Sequence, residues 1–421
     1  MRKWLIGCGI VLLLLLTVVL WLQSGPRAPV PTTDPIVRWN AEHAQLADNA
    51  ADLYRAAFAK LVGDEKSAWW TDFRKVTDPV PPEAVAWVEQ NHDALELARQ
   101  ATELPHCWFV VESTPDGNYL LPHLGQLRTL ARLLRWRVFI AAEQHDATTL
   151  ADSAIEIDRF ARHVDDGIPC VINALVGMAI RALAIDGVTR PLLWEEMSDA
   201  DRRAYLARLM PIFDPPPALA DVLVGEQELL VWMYLSAAPP SLERTLIASP
   251  ERAAGELERY FRPLRELAAE PIERQCDPSD PLALRIQAIE NERPSKFNVP
   301  RRVASILIPS LTHALSIRAR LISAQRGTRT VLELYACRDR TGDFPDTLKA
   351  LGGEFSTDPF SGGPFIYGRA DDGFTLYSVG IDRKDNGGRH NPRVGENRTN
   401  RDFVFWPIPD REPTSQPTTK P

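Results

Sequence analysis

Apolar positions recur every three or four residues along most of this chain, and every second residue only in one stretch near its end. Leu127, Leu130, Leu134, Val138 and Ala141 form one stripe, and Leu150, Ala154, Ile157, Ala161 and Val164 form another. That spacing predicts two amphipathic helices. The polar triplet Gln144-His145-Asp146 between them predicts a turn, so the pair folds into an antiparallel hairpin with its stripes packed together. Arg128, Arg132 and Arg135 fall on another face of the first helix. Asp152, Glu156, Arg159 and His163 line the other face of the second. Further helices are predicted over about 170–187, 199–212, 219–235 and 250–269, with Ser198 and Ser249 placed as N-caps.

The period changes after an amphipathic segment over 319–338, which Gly342 and Pro345 end. Residues 364–368 and 374–379 are rich in Phe, Tyr, Ile and Val and predict two strands. Ala370-Asp371-Asp372-Gly373 between them predicts a hairpin turn, and 401–406 a third strand. The expected fold is mainly α: an N-terminal transmembrane helix, an irregular α-helical array, and a small C-terminal α+β head with an antiparallel sheet. The expected boundaries are a membrane anchor over 1–23, a Pro-rich linker over 24–36, a helical domain over 37–300, a long helix plus head over 301–409, and a disordered tail over 410–421.

The anchor rests on Trp4 to Leu22, nineteen residues without a charge, preceded by Arg2 and Lys3. At 1.5 Å per residue such a helix reaches roughly 28 Å, enough to cross a bilayer core. Trp4 and Trp21 stand where aromatic belts lie, and the leading cations favour a cytoplasmic N-terminus. A cleaved signal peptide is the rival reading, although no A-x-A site follows Leu22. The expected location is therefore a bacterial inner (cytoplasmic) membrane, crossed once, with the body in the periplasm and the membrane itself as a partner.

Charge and cysteine content narrow the classes. A net charge of −8 argues against nucleic acid as a partner. Cys107, Cys170, Cys276 and Cys337 show no C-x-x-C spacing. One or two disulfides and buried free thiols both remain open. No HExxH, G-x-S-x-G, Walker A or Rossmann pattern occurs. Asp165-Asp166 and Glu195-Glu196 read as solvated helix ends, and Trp69-Trp70 and Trp108 as interhelix anchors. The cluster Arg128, Arg132, Arg135 and Arg137 reads as an ion-paired face or as a contact for an anion or phospholipid. No catalytic residue is singled out.

Two resemblances follow from particular residues. The hairpin is weakly similar to tetratricopeptide-type pairs, without a 34-residue period. The C-terminal segment, about 319–406, resembles the globular head of the major pseudopilins of type II secretion. "LELYACRDRTGDFPDTLKAL", "DPFSGGPFIY", "LYSVGIDRKDNGG" and "RDFVFW" match that family's motifs in order, with Phe360 in place of its tryptophan. The N-terminal cleavage motif of that family is missing, so assembly into a pilus by the usual stem is not expected. The resemblance implies a calcium site in the acidic loop. Asp382 and Asp402 stand at the family's acids, the Val379 carbonyl lies near, and Asp385 and Asn386 are substitute ligands. Arg401 departs from the pattern, as does a longer loop carrying Arg389, His390, Arg393 and Arg398. The competing reading is that the acids cap the turn through their own backbone.

Two functions fit: an extracytoplasmic scaffold whose pseudopilin-like head meets protein partners in a secretion or envelope assembly, or a membrane-tethered hydrolase or small-ligand-binding protein with a site between helices. Converging His, Asp or Glu in a deep pocket favours the hydrolase.

Overall fold

The computed structural model describes residues 26–114, 118–237, 250–292, 299–370, 373–390 and 402–410, and gives no account of side chains over 299–310. The expected anchor and tail, Ser249, Arg393, Arg398 and Arg401 lie outside these residues. The described chain is mainly helical and carries one small antiparallel sheet near its C-terminal end. Among the described residues no helix is long and apolar enough to cross a membrane.

In chain order the helices are α1 (Pro35–Glu42), α2 (Ala51–Ala59), α3 (Ser67–Asp72), α4 (Pro82–Gln90), α5 (His92–Thr102), α6 (Pro122–Glu143), α7 (Ala147–Asp165), α8 (Val171–Ala184), α9 (Asp199–Leu209), α10 (Leu219–Ala237), α11 (Pro250–Ala269), α12 (Ile272–Gln275), α13 (Pro281–Glu290) and α14 (Val299–Thr341). The hairpin is α6 and α7. Asp146 caps α7 by accepting the Thr148 and Thr149 N–H groups, and His145 turns the chain with φ of 55°. A side-chain cap of this kind satisfies donors that helix geometry leaves unpaired.

Helix α7 packs on α6, α8 and α9, so it is enclosed on more than its apolar stripe. Glu156 and His163, on the face predicted to be polar, are buried, as is Asp158. The main core gathers Leu130, Trp136, Phe139, Ile157 and Phe160 with the top of α14 at Val331 and Leu334. A second core joins α10, α11 and α13 to Leu311, Leu315 and Leu321 of α14. The long helix therefore threads both cores, and Phe374, Leu376 and Trp406 of the sheet join the main core beside Val331 and Leu334; the amphipathic segment predicted over 319–338 is the last half of this helix.

Strands β1 (Ile366–Ala370), β2 (Gly373–Ser378) and β3 (Phe403–Trp406) pair in that order. The register runs from Ile366↔Tyr377 to Ala370↔Gly373, and then from Leu376↔Trp406 to Ser378↔Phe403 with an irregularity after Leu376. The sheet lies on α14 and closes over Gly327. A Cβ there would stand 2.4 Å from the Phe405 ring.

Two expectations change, and one alternative left open by the sequence is resolved. The Pro-rich segment does not stand off the body over its described part. Pro26 lies against Gly255 of α11, the Ala28 N–H donates to the Glu251 carbonyl at 2.9 Å, and Ala28 and Val30 pack on the second core. Asp165 is not a solvated helix end, because α8 brings Arg181 onto it. The four described cysteines are free thiols, and three of them are buried.

Candidate functional site

A cavity of 910 Å³ opens where the sheet meets the helical body. Small-molecule sites span roughly 300–1,000 Å³. Leu175, Met178, Ala179 and Ala182 of α8 line one wall, and Ile317, Arg320, Leu321 and Ala324 of α14 line another. Both sets step by three, one and three residues, so each is a single stripe of its helix. The third wall is β3, through Phe403, Val404 and Phe405, with Ile408 beyond it. Trp70 of α3 and the turn after α8, through Asp186, Gly187, Thr189 and Arg190, complete the enclosure.

Among the described lining residues the charged side chains are Arg74, Arg135, Arg190, Arg320, Asp186 and Asp410. The Arg320 guanidinium lies 4.5 Å from the Phe403 ring centroid, and burial lowers its pKa to about 10. Arg190 is 9% exposed, sits 4.9 Å over Phe73 and donates to the Val76 carbonyl at 3.1 Å. Stacking on aromatic faces holds planar guanidiniums in place without discharging them. The lining imidazole is His390, whose Nδ1 accepts the Val404 N–H at 3.2 Å. No serine or cysteine is among the described lining residues. The arrangement offers apolar contact and positive charge, and it does not bring a nucleophile against a base.

A second, polar cleft of 500 Å³ adjoins the first and shares Trp70, Arg135 and Ala179 with it. Arg128, Arg132 and Arg135 line it from one face of α6, facing Glu65 and Ser67. Glu65 accepts from the Arg135 guanidinium at 2.7 Å and from the Trp136 indole at 2.8 Å, and lies 3.6 Å from Arg132. Arg135 also stacks 4.2 Å over Trp70. The arginine cluster noted in the sequence thus divides: Arg137 turns to Glu156 at 3.8 Å, and the other three face the cleft.

The residues expected to hold calcium sit together at the edge of the sheet, each in a hydrogen bond. Asp402 accepts the Gly388 N–H at 2.7 Å and the Asn386 N–H at 3.1 Å. Asp382 accepts the Lys384 N–H at 3.1 Å and the Asn386 amide at 3.1 Å. Asp385 accepts the Gly387 N–H at 2.8 Å and the Tyr377 hydroxyl at 3.0 Å. The Val379 N–H donates to the buried Asp358 at 3.2 Å. Among the described residues no group of three or more His, Cys, Asp or Glu is placed to hold a metal ion. Calcium here has to displace these N–H donors. If it does so, the full chain melts several degrees higher in millimolar calcium than in chelator, because a ligand held only by the folded state stabilises it. Coincident melting curves leave the acids as turn caps.

The arginine face and Trp70 stand out in the sequence, but nothing local there places either beside a void. The two helix stripes read as core, because residues that line a cavity have the same period as residues that fill one. No family model, curated protein or solved structure matches the chain.

Proposed function

We propose that this chain is a membrane-tethered, extracytoplasmic protein that binds a small amphipathic ligand between its helical body and its C-terminal sheet. The observation that carries this reading is the 910 Å³ cavity, walled by two apolar helix stripes and an aromatic strand and crossed by arginines. A largely apolar site with a few fixed polar groups is the usual form of a small-molecule pocket. An apolar body fits the stripes of α8 and α14, and an anionic end fits the guanidiniums. The uncharged run from Trp4 to Leu22 supports the tether. The order of long helix, hairpin and closing strand supports the resemblance to a pseudopilin head. On this reading β3 serves as a cavity wall, which does not require the sheet to dock on an assembly.

Ala182 tests the site. It is exposed and lines the cavity from α8, so a larger side chain there enters the void without entering the core. Ala182→Trp is expected to weaken binding of an apolar fluorescent probe by roughly tenfold or more while the melting temperature stays near that of the parent chain. Unchanged probe binding overturns the reading.

A further inference from the structure

Resting on that reading, we infer that the polar cleft is the head-group subsite and that it takes a phosphate monoester rather than a carboxylate. The two spaces adjoin at Trp70, Arg135 and Ala179, which line both, so the head group of a ligand in the first is placed beside the second. Three guanidiniums face the cleft from consecutive turns of α6, and Glu65 is the one acid among its described lining residues. Glu65 answers Arg135 directly and Arg132 only at 3.6 Å. Arg128 is exposed and has no acidic partner among the described residues. Among the described lining residues three guanidiniums therefore stand against one carboxylate. A phosphate monoester carries about −1.5 to −2 at pH 7 and three acceptor oxygens, whereas a carboxylate brings one charge and two oxygens. Planar guanidiniums suit phosphate because two parallel N–H donors meet two of its oxygens. The Ser67 hydroxyl on the opposite wall offers one more donor. On this reading the occupant is an amphiphile with its tail between α8 and α14 and its head on α6.

The test measures displacement of the cavity probe from the full-length chain, held in amphipol, by octyl phosphate, octanoate, octanol and inorganic phosphate. Octyl phosphate is expected to compete roughly tenfold better than octanoate, and octanoate better than octanol. Inorganic phosphate alone should displace nothing, which separates a lipid-like head group from a free anion. In Arg128→Gln/Arg132→Gln the advantage of octyl phosphate should fall to within about twofold of octanol, with octanol itself unchanged. Equal competition by octyl phosphate, octanoate and octanol overturns the head-group subsite and leaves the cavity reading standing. Failure of all eight-carbon probes to compete overturns both. Displacement by inorganic phosphate at the same concentration as octyl phosphate overturns the amphiphile in favour of a plain anion site.

Discussion

Arg181→Met is expected to lower unfolding free energy by about 3–5 kcal/mol, the usual cost of removing one partner from a buried ion pair. Arg181 is 4% exposed on α8 and bridges two acids of α7: its guanidinium is 3.6 Å from Asp158 and 2.5 Å from Asp165. Asp158 keeps Arg162 at 2.8 Å, but Asp165 has no second cation within ion-pair distance among the described residues. Burial pushes the Asp165 carboxyl from its ordinary 3.8 up to about 6, against the pull of Arg181. Between those two values the folded chain holds a proton that the unfolded chain releases. The contribution of Asp165 to stability is therefore greatest near pH 4 and below, and it declines as pH rises towards 6. Without Arg181 the carboxyl rises further, so the damage in Arg181→Met should be largest at neutral pH and smaller near pH 5. Denaturant unfolding of both chains at the two pH values measures this directly. A loss below about 1 kcal/mol at pH 7 would show that the pair is not effectively buried.

Gly327→Ala should destabilise the chain by about 1–3 kcal/mol, although helix propensity alone predicts a gain of about 1 kcal/mol. The added methyl group would meet Phe405 Cδ2 and Cε2 at 2.4 Å. That ring packs edge-on against Phe365 at 5.1 Å, so relief requires shifting it away from that contact and into the cavity it lines. Because β3 is also a wall of the cavity, the same substitution should weaken probe binding. Gly125 is the control. It lies in α6, and a Cβ there would meet nothing within 4 Å, so Gly125→Ala should be neutral or stabilising. Equal responses at the two glycines would mean that the sheet does not press on α14 as described.

Much of the element order is legible in the pattern of residues. The stripes of α6 and α7, the turn at His145, the starts of α9, α10 and α11 at 199, 219 and 250, and the β1–β2 hairpin all stand close to where period and turn chemistry put them. Local signals are enough there because a cap, a turn and a stripe are each written in a few adjacent residues. The candidate site was legible only in pieces. The arginines of α6 stood out by spacing, while Arg190, Arg320 and β3 (Phe403–Trp406) arrive from widely separated parts of the chain. Nothing local in Ile317 or Ala324 distinguishes facing a cavity from facing a neighbour.

By itself, the amino-acid pattern determined that this is a helical chain ending in a short antiparallel sheet, that an uncharged run of membrane-spanning length precedes its body, and that arginines share one face of α6. Those properties depend on residues one to four positions apart. Tertiary structure alone decided that α7 is enclosed, that Asp165 meets Arg181, that the Pro-rich segment lies down on Gly255, and that α8, α14 and β3 leave a space between them. The reason is one of range: burial and voids depend on which faces meet across long sequence separations, and a stripe of apolar residues specifies that a face is covered without specifying by what.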